Sequence, residues 1–297
     1  MHHLLFITWN ASPEMFTIPG INWPVRWYGL LFACAFLCSQ YVMGRIFKAE
    51  QRPAKLLDIL TIYIVAGTVI GARLGHCLFY QPDYYLLHPL EIFKIWEGGL
   101  ASHGGTIGII IAIWLYCRKT GESRLWLLDR IAIVAALSSM FIRLGNLMNS
   151  EIIGLPTKMP WGFKFVRGEE DAMLYQAHGV DAVPARHPAQ LYEAIFCFFL
   201  FVLFILLWKY KRNVLPPGFM VGLFLTLLFT ERFLTEFLKE VQVDWENKID
   251  LNMGQNLSIP FIALGVLAMF FSYRKRRKEM KHSSRVEMPK VDKEDQL

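Results

Sequence analysis

The stretch Met140-Phe141-Ile142-Arg143-Leu144-Gly145-Asn146-Leu147-Met148-Asn149-Ser150-Glu151 sets a guanidinium, two amides and a carboxylate at the end of an otherwise almost wholly apolar run that begins near Leu125. At roughly 100° per residue, Ser139, Arg143, Asn146 and Ser150 share one helical face, with Asn149 at its edge. A guanidinium at membrane depth costs roughly 2.5–3.5 kcal/mol on insertion scales, so it persists where it meets an anion, a carboxylate or a watery cavity. Two readings are open. Arg143 is a structural arginine paired with an internal carboxylate or with helix-end carbonyls, or it belongs to a polar site that receives an anionic group.

Two further arginines lie in apolar surroundings, Arg73 within Gly71-Ala72-Arg73-Leu74-Gly75 and Arg232 within Glu231-Arg232-Phe233-Leu234-Thr235-Glu236-Phe237-Leu238-Lys239. On a helix Arg232, Glu236 and Lys239 fall on one face, so Glu236 has an obvious partner in Arg232. His103 sits in the stretch Gly98 to Gly108, where five glycines in eleven residues permit close approach of backbone to a ligand or a neighbour. Its imidazole suits a proton acceptor near neutrality, against the competing reading of a structural histidine in a glycine turn. Gln190, Tyr192 and Glu193 form one more polar cluster, which a helix start explains without chemistry. Three arginines, a histidine and several amides describe a site for a phosphorylated ligand, because arginine forks to phosphate oxygens and keeps its charge in a membrane. A ligand with a phosphate and long acyl chains is reached laterally from the bilayer and offsets the desolvation of the arginines. HExxH, GxSxG, Walker and dinucleotide motifs are absent, and Ser138-Ser139 sit mid-helix, which argues against an intramembrane serine hydrolase. Cys34, Cys38, Cys77, Cys117 and Cys197 all fall in apolar segments without a CxxC pair. No disulfide framework, metal site or cofactor is expected.

The elements that must position these residues are membrane helices. Of 297 residues, 54% are hydrophobic and only 19% charged, where a soluble domain carries about a quarter charged residues. The net charge of +6 does not point to nucleic acid, because the bases flank hydrophobic runs in short loops and in the C-terminal tail. The reading is an all-α polytopic membrane protein with seven transmembrane helices within residues 28–273. The first three are expected near 28–44, 56–80 and 99–117, the fourth from near 125, the fifth ending near 208, the sixth near 218–238 and the last near 257–273, after a loop that holds Met253 to Pro260. Gly67, Gly71 and Gly75, at i, i+4 and i+8 of the second, allow close helix packing. Residues 1–27, broken by Pro13, Pro19, Gly20 and Pro24, read as an arm on the membrane surface with no removable signal peptide. Residues 150–187 read as a single large polar loop, long enough to be functional, and 274–297 as a charged, disordered tail. Basic loops after the first, third and fifth segments place the N-terminus in the periplasm and the C-terminus in the cytoplasm.

In order along the chain, the motifs are Trp27-Tyr28-Gly29, Gly71-Ala72-Arg73-Leu74-Gly75, the His103-Gly104-Gly105 turn and Arg143-Leu144-Gly145-Asn146 with Asn149 and Glu151. They continue with Arg186-His187-Pro188-Ala189-Gln190-Leu191-Tyr192-Glu193, Arg232 with Glu236, and Met253-Gly254-Gln255-Asn256-Leu257-Ser258-Ile259-Pro260. From about residue 27 to 273 this series resembles prolipoprotein diacylglyceryl transferase. The resemblance implies a bacterial inner-membrane enzyme that moves the diacylglyceryl group of phosphatidylglycerol onto the lipobox cysteine thiol of a preprolipoprotein. It further implies that Arg143 and Arg232 hold the lipid phosphate and that His103 is the base. Tyr28, Asn146, Glu151 and Glu236 would line or brace the site, with Arg73 and Gly104 also in the substrate-binding set. The sequence departs from the family pattern at Ala101-Ser102 and at Leu228, where a tyrosine is common. The rival reading is a transporter or flippase for an anionic lipid or metabolite. The lack of repeat symmetry and of paired broken helices counts against it.

Overall fold

A computed structural model describes residues 6–20, 22–95, 98–240 and 251–286, without the side chains of residue 170 and of residues beyond 278. In chain order the helices are α1 (Trp27–Ala49), α2 (Ala54–Phe79), the short α3 (Pro82–Leu87), α4 (Ser102–Thr120), α5 (Arg124–Met148), α6 (Glu169–His178), α7 (Ala189–Lys211), α8 (Phe219–Thr235) and α9 (Met253–Val286). Four short strands accompany them: β1 (Ile7–Trp9), β2 (Glu14–Ile18), β3 (Trp23–Arg26) and β4 (Phe163–Phe165). The chain is therefore mostly helical, and among the described residues five helices, α1, α2, α5, α7 and α9, are long and apolar enough to cross a membrane. The other two long segments are shorter, 19 residues in α4 and 17 in α8.

Two compact units result, Gln40–Arg130 and, separately, Met1–Ser39 with Ile131–Leu297. In the first, α2 packs on α4 through glycine. A methyl group added at Gly71 would run into the Gly104 carbonyl, and one at Gly75 would come within 2.7 Å of Gly104 Cα. Side chains at these positions would force the helices apart, so the small-residue repeat acts as a packing surface. Gly98 and Gly99 lie outside α4, with φ of +88° and +70°, and the helix starts only at Ser102.

In the second unit, α8 packs on α9, with Phe229 stacked on Phe261 at 4.4 Å between ring centres. β1 pairs in parallel with β4, and β2 pairs antiparallel with β3. The loop 150–187 is thus folded: it contributes β4, α6 and a small core of Phe163 and Phe165 with Leu147, against which Trp9 and Leu191 pack. The last helix departs most from expectation. It begins at Met253, ahead of Pro260, and runs to Val286, so the tail is helical from Arg274 to that point; residues 287–297, like residues 1–5 of the arm, lie outside the described chain. Its start is set by a capping box. Asn252 Oδ1 accepts the Gln255 amide at 2.8 Å, and Gln255 Oε1 accepts the Asn252 amide at 3.1 Å.

Candidate active site

α5 ends in a Schellman turn. The Glu151 amide donates to the Asn146 carbonyl at 3.0 Å and the Ser150 amide to the Leu147 carbonyl at 3.1 Å. Ser150, with φ of +54°, fills the left-handed position that glycine usually takes. The turn folds Glu151 back over the last helical residues. Its Oε2 accepts from Asn146 Nδ2 at 3.2 Å and its Oε1 from Asn149 Nδ2 at 2.9 Å. Asn146 Oδ1 in turn accepts from Arg143 Nη1 at 3.3 Å. Gly145 gives room beside this face for Tyr28: a Cβ there would meet Tyr28 Cδ2 at 2.8 Å.

α7 supplies the next layer. Gln190, fully buried one residue into the helix, donates its Nε2 to the Glu151 carbonyl. Glu193, one turn later and also buried, places Oε2 2.9 Å from Arg143 Nε. That contact is ionic, because the Nε–H is not aimed at the oxygen. Glu193 Oε1 accepts from Lys239 Nζ at 2.8 Å. Lys239 also donates to Glu236 Oε1 at 3.1 Å. Glu236 Oε2 accepts from Asn252 Nδ2 at 3.1 Å, so the cap of α9 closes on the end of α8. Arg232 lies only 3.9 Å from Glu236, and its Nε has no hydrogen-bond partner among the described residues. The expected Arg232–Glu236 pair is therefore loose, and Glu236 is held mainly by Lys239 and Asn252.

The site rests on the folded loop. Arg186 donates Nε to Asp171 Oδ2 at 2.7 Å and Nη2 to Oδ1 at 3.1 Å, while Nη1 reaches Glu240 Oε1 at 2.9 Å. Burial pulls the Arg186 pKa down, but the hydrogen bonds and charges of Asp171 and Glu240 outweigh it and hold the guanidinium above its ordinary value. Its stabilisation is present below that ordinary value and is lost only above the raised one, so it does not change across physiological pH.

In the Gln40–Arg130 unit, Arg73 is 3% exposed. Its Nε donates to the Ile92 carbonyl at 2.9 Å, Nη1 to that of Gly98 at 2.6 Å and Nη2 to that of Glu91 at 2.6 Å. Arg73 thus holds the segment leading to α4. Gly104 is buried against α2. His103 is exposed in the first turn of α4, and no hydrogen bond from the described residues engages its ring. Sequence reasoning named neither Lys239 nor Asn252 as a site residue. The spacing Asn252-x-x-Gln255 is itself the signal of a cap and marks Asn252; Lys239 has only its helical register to Glu236 and Arg232.

Known proteins resemble the chain over nearly its whole length. The family model described as prolipoprotein diacylglyceryl transferase matches residues 13–271. A phosphatidylglycerol–prolipoprotein diacylglyceryl transferase of Chloroherpeton thalassium is 47% identical over 276 residues, 92% of this chain and 97% of the relative. Proteins of the same name from Tolumonas auensis and Bacteroides fragilis are 48% and 47% identical, covering 90% and 92% of this chain and 98% of each relative. A family model spanning residues 13–271, and relatives 47–48% identical over nine-tenths of the chain, leave one conclusion, that the chain belongs to the prolipoprotein diacylglyceryl transferase family.

Proposed function

We propose that this chain transfers the diacylglyceryl group of phosphatidylglycerol to the lipobox cysteine of preprolipoproteins in the bacterial inner membrane. The observation that supports the reading best is the array Arg143–Glu193–Lys239–Glu236–Arg232, whose two ends are guanidinium groups. Arg143 and Arg232 hold the lipid phosphate. The thiolate sulfur attacks the glyceryl carbon that bears the phosphodiester, forming a thioether; the C–O bond breaks and its electron pair leaves on glycerol phosphate. The phosphate gains negative charge in this step, and fixed guanidinium groups stabilise it as it develops. The thiol proton goes to a base, since a thiol of pKa near 8.5 is only a few per cent ionised at neutrality. His103 is our candidate, on its exposure at the start of α4. Tyr28, Asn146, Glu151 and Glu236 line or brace the phosphate site, whereas Arg73 and Gly104 act through packing and segment bracing. All seven long helices span the membrane, α4 and α8 included, at about 28 and 26 Å, close to a hydrocarbon core of about 30 Å. The N-terminus is periplasmic and the C-terminus cytoplasmic.

The test is purified protein with phosphatidylglycerol and a lipobox peptide. The expected product is a thioether-linked diacylglyceryl cysteine with stoichiometric glycerol phosphate. Lipid or anion flux in vesicles without thioether would replace this reading by the transporter one.

A further inference from the structure

We propose that Lys239 is a positioning residue for this reaction, the surplus charge that shares Glu193 and Glu236 with Arg143 and Arg232 and so leaves the two arginines net positive charge for phosphate. The inference rests on the phosphate reading above.

The array alternates in sign. Side-chain exposure is lowest in its middle, 2% at Glu193, 4% at Lys239 and 12% at Glu236, and rises at its ends to 22% at Arg143 and 42% at Arg232. The middle is scaffold and the ends are accessible. Lys239 is the one member that touches both carboxylates, at 2.8 and 3.1 Å. Its backbone is fixed as well: it bridges antiparallel to Gly154, the Leu155 amide donates to the Leu238 carbonyl at 2.7 Å, and the Glu240 amide donates to the Ile153 carbonyl at 3.3 Å. The ammonium is thus held between Glu193 and Glu236 on a backbone that is itself paired.

Charge arithmetic gives that position its consequence. Three cations and two carboxylates make the array net +1. Glu151 and Glu231 lie outside it, held by the Asn146 and Asn149 amides and by the Thr235 hydroxyl. One surplus positive charge matches the single negative charge of a phosphodiester. Remove the ammonium and two cations face two carboxylates. A buried carboxylate that loses its counter-charge draws the nearest cation onto itself. Glu193, already 2.9 Å from Arg143 Nε, then has that guanidinium as its sole counter-charge and Glu236 draws in Arg232, so each arginine becomes the purely structural residue of the alternative reading.

The experiment measures KM for phosphatidylglycerol and kcat in mixed micelles, with thermal stability alongside. Lys239→Met should raise KM by at least about tenfold, a loss typical of truncating one partner of a buried charge pair. Lys239→Arg should stay close to the parent. The decisive variant is Lys239→Met with Glu193→Gln, which restores a net charge of +1 and removes the buried carboxylate that captures Arg143. It should recover phosphatidylglycerol binding relative to Lys239→Met alone, an outcome that a role in folding does not predict. If Lys239→Met proves unfolded, the double variant and Lys239→Arg carry the test. Unchanged KM in Lys239→Met, or a folded double variant with no recovery, overturns the proposal. Near-normal transfer by both Arg143→Lys and Arg232→Lys would instead overturn the phosphate reading. Impaired arginine variants beside an unaffected Lys239→Met would sink only the role given to Lys239.

Discussion

At the scale of single residues, Arg143 meets both readings that its sequence context left open. It has an internal carboxylate, Glu193, and it remains partly exposed with Nη1 on a weak 3.3 Å bond to Asn146. The polar face of α5 was legible because a helical period puts Arg143 and Asn146 together. The partner was not, since Glu193 arrives from another helix and nothing in its local sequence points to Arg143. A fork to phosphate requires the planar guanidinium, so Arg143→Lys should lower transfer by about tenfold to a thousandfold, equivalent to roughly 1.5–4 kcal/mol for a contact to developing charge. Arg143→Ala should be lower still while remaining folded, because Lys239 continues to neutralise Glu193. The measurement is transfer rate per folded molecule together with melting temperature in detergent. Full activity in Arg143→Lys beside an unstable Arg143→Ala would assign the residue to structure alone.

At the scale of elements, glycine spacing carries information in both directions along the α2–α4 contact. Gly67, Gly71 and Gly75 were readable as a packing stripe; that Gly104 and Gly108 are its counterpart became clear only when α4 was seen to start at Ser102. The contact separates glycines that must be glycine from one that need not be. A methyl group at Gly108 would overlap the Gly67 carbonyl, whereas one at Gly105 would make ordinary contact with Ala72 Cβ at 3.6 Å. Gly108→Ala should therefore destabilise by about 1–3 kcal/mol through overpacking. Gly105→Ala should be neutral or gain up to about 1 kcal/mol from helix propensity. Thermal unfolding of the two variants in the same detergent checks the contrast, and equal losses would mean that the helices do not approach as closely as described. The opposite lesson comes from α9, where the stretch Met253 to Pro260 reads as a loop and the last span as starting near residue 257. The reciprocal Asn252–Gln255 cap fixes the first turn instead, and Pro260 is accommodated inside the helix.

At the scale of the molecule, composition alone was enough for a helical membrane protein, because apolar runs of this length have no other stable use. The folded part of 150–187 was not legible. β1 and β4 have three residues each, too few to show a period of two, and they pair across about half of the chain. Orientation is the remaining whole-molecule property, and loop charge is the feature that bears on it: Arg45, Lys48, Arg52 and Lys55 surround the α1–α2 connection, against the mixed charges of the 150–187 segment. On the positive-inside rule we propose that the first faces the cytoplasm and the second the periplasm. Lys55 and Tyr175 are both exposed, so each can carry a reporter. In a parent lacking the five native cysteines, Tyr175→Cys should react with a membrane-impermeant thiol reagent once the outer membrane is opened. Lys55→Cys should react only after the inner membrane is permeabilised. On the proposed orientation the turn at Glu151 would face the outer side, where an exported preprolipoprotein would present its cysteine. Labelling of residue 55 in intact spheroplasts, with residue 175 protected, would invert the topology and with it the side from which the thiol reaches Arg143.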